Sequence, residues 1–154
     1  MLSNRFLTLV ALWAGHTSAY LDSNGEVIIP GASSYNGLNL VPQMGWDNWN
    51  AFGCNINESL VLNTAQKMVQ YGLRDLGYNY VVIDDCWSEG RNESGYLVAN
   101  SNTFPNGMGH VADQIHAMGM KFGMYSSAGI FTCGKYPGSL GNEQKDADFF
   151  AESK

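Results

Sequence analysis

Three stretches of strand-forming residues recur along this chain at an almost constant interval. "VPQMGW", "YVVIDD" and "MKFGMY" begin at residues 41, 80 and 120, so the intervals are 39 and 40 residues. Between the first two, "NESLVLNTAQKMVQYGLRDLG" places Val61, Ala65, Met68 and Gly72 along one face, with Leu62, Val69, Leu73 and Leu76 beside it. That is the spacing of an amphipathic helix. Glu58 lies near its start, Arg74 near its end, and Gly77 closes it, as the helix dipole and the glycine preference at C-termini favour. Val111, Ile115 and Met118 form a second apolar stripe before the third strand, again closed by a glycine, Gly119. A third helix is expected to open at Asn142 with Ala147, Phe150 and Ala151 turned inward.

Strands that alternate with helices at a fixed period pair in parallel through right-handed crossovers, so the fold class is α/β. A doubly wound open sheet and an eightfold (β/α)8 TIM barrel both fit this description. The loops favour the barrel. Residues 47–56, 86–106 and 127–141 follow strand ends and are long, polar and rich in Gly, Asn, Ser and aromatics, whereas the returns from helix to strand take only a few residues. A barrel enzyme builds its active site on the face where strands exit. Eight units of ~40 residues need roughly 320 residues, and 154 residues hold about three. The expectation is the N-terminal part of a longer barrel, occupying residues 36–154, behind a turn-rich lead-in over residues 20–35 that has an edge strand at Val27 to Ile29.

The first residues carry one positive charge at Arg5, an apolar run from Phe6 to Ala14, and the small-residue exit Thr17-Ser18-Ala19. This is the pattern of a secretory signal peptide over residues 1–19, cut after Ala19; the apolar run falls well short of the ~20 residues that span a bilayer. The expected location is extracellular. The formal net charge of −6 argues against nucleic acid and anionic membrane surfaces as partners. A neutral or cationic ligand suits it better.

Secretion changes how the cysteines are read. Cys54, Cys86 and Cys133 each fall just after a strand end and so share one face of the sheet. Either Cys54 with Cys86 or Cys86 with Cys133 is an easier bridge than the outer pair. An odd cysteine in an oxidising compartment points to a partner elsewhere. Asn57-Glu58-Ser59 and Asn92-Glu93-Ser94 match the N-glycan acceptor pattern, which makes Asn57 and Asn92 candidate glycosylation sites.

Only 14% of the residues are charged, yet Asp84 and Asp85 stand side by side at the end of the most hydrophobic strand. One reading is a turn, since Asp favours strand exits. The other is a polar pocket in which both acids accept hydrogen bonds from a neutral polyhydroxyl ligand, each bond contributing about 1.5–3 kcal/mol. The pair cannot serve as the acid and nucleophile of a retaining glycosidase. Neighbours on a strand project to opposite faces, whereas that pair must face each other at about 5–5.5 Å. Trp46 and Trp49 at the first strand exit, Trp87 after the acids and Tyr125 at the end of the third strand favour a sugar, because flat rings stack on its apolar face. Aromatics also fill cores, and Trp46 and Tyr125 owe their candidacy to their strand-exit positions.

"GMGHVA" fits the dinucleotide pattern G-x-G-x-x-A, but it follows a loop instead of a strand and has no acid ~20 residues on. His110 and His116 are six apart and lie on different helix faces, a poor metal pair. No metal or cofactor is expected.

"NGLNLVPQMGWDNWNAFGC", "VVIDDCW", "FPNGMGHVAD", "FGMYSSAG" and "CGKYPGSLG", in this order, closely resemble the secreted fungal α-galactosidases (melibiases) of glycoside hydrolase family 27 over about residues 36–154. The resemblance implies a (β/α)8 barrel that hydrolyses terminal α-linked galactose from melibiose, raffinose-type oligosaccharides and galactomannans with retention of configuration. It implies that Trp46 shapes the sugar subsite, that Asp84 and Asp85 accept hydrogen bonds from the hydroxyls at carbons 4 and 6, and that Tyr125 and Cys133 line the pocket. Cys54 and Cys86 match the family's first disulfide. The nucleophile and acid/base aspartates of the family belong to the fourth and sixth strands, beyond Lys154, so no catalytic residue is expected within this sequence. A non-catalytic carbohydrate-binding protein would use the same tryptophans and acids without a nucleophile and is the alternative reading; a nicotinamide-dependent oxidoreductase is a distant third.

Overall fold

The computed structural model describes residues 40–153, together with the backbone of two short strands nearer the N-terminus. The stretch read as a signal peptide lies outside the described residues. The chain divides into a unit ending at Leu40 and one beginning at Val41. In the first, β1 (Tyr20–Leu21) pairs antiparallel with β2 (Val27–Ile28), so the strand expected in the lead-in is present and its partner is the start of the same segment.

The second unit contains the repeating architecture. Its elements are β3 (Gly45–Asp47), α1 (Trp49–Phe52), α2 (Glu58–Gln70), a 3-10 turn (Arg74–Leu76), β4 (Tyr80–Ile83), β5 (Ser88–Arg91), β6 (Leu97–Ala99), α3 (Gly107–Ala117), β7 (Lys121–Met124) and α4 (Glu143–Glu152). β3, β4 and β7 form a parallel sheet in that order. Parallel pairing demands crossovers that cover the sheet, and α2 and α3 provide them. Val81 and Ile83 of β4 are fully buried, as are Val61 and Ala65 of α2 and Val111 and Ile115 of α3. Their side chains form one apolar cluster with Met68 and Met120. Each such burial stabilises the fold by about 1.5–3 kcal/mol.

The helix signals in the sequence are realised at their beginnings more closely than at their ends. Asn57 caps α2, its Oδ1 accepting the Leu60 N–H at 2.9 Å. The α-helix ends at Gln70, seven residues before Gly77, and the chain tightens into the 3-10 turn. The 3.6-residue period no longer applies there, so Leu73 and Leu76 are exposed instead of completing the stripe. Arg74 fastens this turn by donating from Nη1 to the Met118 carbonyl at 2.8 Å. Gly77 (φ 97°) and Gly119 (φ 71°) occupy left-handed conformations just before β4 and β7, as their role as stops requires.

Two expectations need correction. Residues 86–106 are not a plain polar loop: they contain the antiparallel hairpin β5–β6, with a bulge between Ser88 and Gly90. The inward face of α4 is also not the expected one, since Ala147 and Ala151 are exposed and Asp146 is buried. A salt bridge sets this orientation. Arg91 of β5 grips Asp146 with both terminal nitrogens, at 2.6 and 2.8 Å, and also donates to the carbonyls of Gly95 and Gly138. Phe149 and Phe150, one turn on, pack against Trp87, the first of them stacked at 5.5 Å. Apolar periodicity could not show that the inward residue would be an acid whose partner lies 55 positions earlier.

Burial works against the charge on Asp146, but the hydrogen bonds from Arg91 and Ser139 and the charge of Arg91 outweigh it, holding the carboxyl below the usual aspartate range. A depressed carboxylate stabilises the fold above its unfolded pKa, and that stabilisation is lost as pH falls through the folded value. Asp146→Ala leaves Arg91 without its partner and is expected to cost about 3–5 kcal/mol, read as an earlier urea transition in the fluorescence of Trp87. The gap from the parent protein should narrow as pH falls below about 4.

Candidate functional site

Because β3, β4 and β7 run parallel and in register, their C-terminal ends open at one edge of the sheet. Trp46 lies beside Val81, which lies beside Phe122, and each strand delivers its polar exit at its last residue or within two residues of it: Asp47-Asn48, Asp84-Asp85 and Tyr125. Trp46 is half-buried and meets Phe52 edge-to-face at 6.2 Å. Asp47 turns the chain into α1 by accepting the Trp49 N–H at 2.8 Å.

The two acids have different surroundings. Asp85 is buried and its carboxylate is heavily engaged: Oδ1 accepts from the Cys86 N–H and the Thr132 hydroxyl, both at 2.9 Å, and Oδ2 accepts from the Gly134 N–H at 2.6 Å. Three of the roughly four acceptor sites of a carboxylate are thereby used. Asp85 thus pins the loop after β7 to the exit of β4. Gly134 suits this contact because a Cβ there would stand 2.9 Å from Asp85 Oδ2 and displace the carboxylate. Asp84 is only half-buried; its Oδ1 accepts the Asp85 N–H at 2.7 Å, which leaves its other oxygen available. Among the described residues, neither acid forms a salt bridge.

Tyr125 joins the same cluster. Burial, then the charges of Asp85 and Asp84 and the proximity of Cys133, together push its phenol up to about 12. It therefore stays a neutral donor throughout the physiological range. Trp87, offered by the sequence as a stacking surface, is instead core: it is buried, stacks on Phe149, and donates from Nε1 to the Tyr125 carbonyl at 3.0 Å. Trp49 is exposed.

Cys54 and Cys86 are disulfide-bonded with Cα atoms 5.3 Å apart, and Cys133 is free and exposed. Closing a loop of 32 residues contributes about 3–4 kcal/mol in the chain-entropy account. Cys86 has φ 73°, a left-handed conformation that costs a non-glycine residue about 1–3 kcal/mol. The bridge and the Asp85–Cys86 hydrogen bond hold it there. His110 sits 3.7 Å from Glu58. No cluster of metal-ligating side chains occurs among the described residues. Two grooves of about 460 and 450 Å³ lie elsewhere, between α2 and α3 and beside β6 and α4.

Residues 41–154 match the family model described as alpha galactosidase A, Melibiase_2. The chain belongs to this α-galactosidase family. An α-galactosidase of Saccharomyces paradoxus is 64% identical over 121 residues, covering 79% of this chain and 26% of the relative. The solved α-galactosidase of Saccharomyces cerevisiae with raffinose has a TM-score of 0.76 at 58% identity, over 80% of this chain and 27% of that one. α-Galactosidase I of Mortierella vinacea gives 0.75 at 49% identity, over 78% and 30%. The chain thus spans about a quarter of the length of these α-galactosidases.

Two residues of the site do not stand out in the sequence. Asn48 is wholly buried between the first and second strand exits, and Thr132 is buried where the loop after β7 meets Asp85. Both are common loop residues, and only the fold shows which loop they bind. The Tyr125 environment gives a direct check. The alkaline difference spectrum between parent and Tyr125→Phe should show phenolate absorbance with a midpoint near 12 instead of the usual value of about 10. Since the folded pKa is raised, the stability this phenol contributes is full below about pH 10 and should be lost as pH rises through 12.

Proposed function

We propose that this chain forms the galactose-gripping rim of a secreted, retaining α-galactosidase. The observation that carries this reading is an acid pair without a cationic partner among the described residues, set between Trp46 and Tyr125 at the exits of adjacent parallel strands. Negative acceptors beside aromatic surface suit a neutral donor of hydrogen bonds, and a sugar hydroxyl is such a donor. Asp84 and Asp85 take the hydroxyls at carbons 4 and 6, Trp46 shapes the subsite, and Tyr125 and Cys133 line it. With most of its acceptor sites already engaged, Asp85 offers one position to the ligand, and Asp84 offers more. A glucoside carries its 4-hydroxyl equatorially and would leave a buried acceptor unpaired, which is a strong ground for rejection.

The sequential parallel order β3-β4-β7 is the opening of an eightfold barrel in this reading, and further strands supply the nucleophile and the acid/base. Substrates are terminal α-galactosides such as melibiose, raffinose-type oligosaccharides and galactomannans. In the full-length protein, Asp84→Asn should reduce kcat/KM for p-nitrophenyl α-galactoside by about a hundredfold, the equivalent of a lost charged hydrogen bond. Asp85→Asn should do the same and also lower the melting temperature, because its amide would face the Gly134 N–H donor to donor. Near-normal turnover in both variants would refute the assignment.

Export behind the signal peptide makes the two sequons usable. Asn57 and Asn92 are exposed, and each uses its oxygen as an acceptor, Asn57 from Leu60 and Asn92 from Ser94 and Tyr96. The amide nitrogen, which carries an N-glycan, is not needed for either turn. Endoglycosidase treatment of the secreted protein should increase its gel mobility, and Ser59→Ala and Ser94→Ala should each remove part of that shift.

A further inference from the structure

Asn48 is wholly buried, and both ends of its amide are used. Its Oδ1 accepts the Asp84 backbone N–H at 2.8 Å, and its Nδ2 donates to the Gly53 carbonyl at 2.9 Å. Its own carbonyl accepts the Phe52 N–H at 2.9 Å, so the side chain is anchored at the start of α1. Gly53 adjoins Cys54, Cys54 is bonded to Cys86, and Cys86 leads back through Asp85 to Asp84. The result is a closed ring around the acid pair, part covalent and part hydrogen-bonded, in which the Asn48 side chain reaches from the exit of β3 to the exit of β4. A backbone N–H at the end of a strand has no ladder partner left, and when it is buried it needs an acceptor. Asn48 supplies that acceptor and so fixes the height at which the Asp84 side chain leaves the sheet.

We propose that Asn48 is a positioning residue for galactoside recognition: it holds Asp84 at the depth where its free carboxylate oxygen meets a sugar hydroxyl. The inference rests on the reading of the acid pair as a galactose grip. A hydrogen bond to a misplaced carboxylate weakens steeply with distance and angle, so loss of Asn48 acts on binding through Asp84 and leaves cleavage, performed by other groups, less affected.

The test is a double-mutant cycle in the full-length protein, with KM and kcat for p-nitrophenyl α-galactoside and the melting temperature measured for parent, Asn48→Ala, Asp84→Asn and the double variant. Asn48→Ser, whose shorter side chain leaves room for water at the freed groups, replaces Asn48→Ala if that variant does not accumulate in folded form. The expected result is a rise in KM of about tenfold for the Asn48 variant, equivalent to about 1.4 kcal/mol, with a smaller change in kcat. In the Asp84→Asn background the same change should add less than about twofold, because coupled sites are not additive. An equal effect in both backgrounds would make Asn48 merely structural and overturn the proposal, as would an unchanged KM in the single variant. If Asp84→Asn itself leaves kcat/KM near normal, the galactose-grip reading of Asp84 fails as well, an outcome distinct from failure of Asn48 alone.

Discussion

β4 has a strand on each side, and its parallel register with both determines everything that happens at the exit edge. Ile83 is paired with Met124, and Val82 with Asp47, so the residues that follow emerge at one level. Antiparallel neighbours would have sent alternate exits to opposite ends and separated Trp46 from Asp84. The helices that impose parallel pairing also bury the outer face of the sheet, through Val81, Ile83, Val61, Val111 and Ile115. Fold stability and site assembly therefore share one cause. A change that disturbs the packing of α2 or α3 moves the acids as well.

At the exit itself, the acid pair has two jobs that draw on the same acceptor capacity. Asp85 commits most of its lone pairs to Cys86, Thr132 and Gly134, which fixes the loop carrying Cys133. Asp84 keeps an oxygen open, but its backbone is tied to Asn48 and its Oδ1 to the Asp85 N–H. The acid pair is thus held by hydrogen bonds before any ligand arrives, and if it grips galactose as proposed, an acceptor already fixed in place costs the ligand little ordering. In that reading the same fixity makes selectivity possible, because an acceptor that cannot turn away would stay unpaired when the wrong epimer binds.

Much of this architecture is legible in residue order. The strand period, the buried stripes Val61-Ala65-Met68 and Val111-Ile115, and the glycines before β4 and β7 follow from local preferences, and the structure reproduces them. The β5–β6 hairpin is less visible because its strands are short and polar on one side, "SEGR" facing "LVA". The orientation of α4 is readable only in part: Phe150 packs on the core as its spacing suggests, but Ala147 and Ala151 are exposed. Its inward residue is an aspartate, and an aspartate faces inward only when a specific arginine waits for it, a property that resides in the contact between Arg91 and Asp146 and in neither segment alone. The candidate site divides in the same way. Asp84, Asp85 and Tyr125 announce themselves by standing at strand ends, whereas Asn48 and Thr132 act through partners 36 and 47 residues away.

In the proposed function, gripping and cleaving fall to different carboxylates, and the position of the acids gives the reason. Asp84 and Asp85 are consecutive, so the backbone fixes how far apart they stand and they cannot face each other across a bond. Retaining hydrolysis needs two carboxyl groups that converge on the anomeric carbon from opposite sides, about 5–5.5 Å apart. Such groups have to come from different strands of a closed sheet, with the sugar held between them. Consecutive acids on one strand are better suited to reaching two hydroxyls on the same edge of one ring. In the proposed function, a sugar held by carbons 4 and 6 presents carbon 1 across the ring from these acids, where further strands of the barrel would supply the chemistry. The grip and the chemistry would then be separated by the width of the galactose ring, and the first strands of the barrel would serve recognition for that reason.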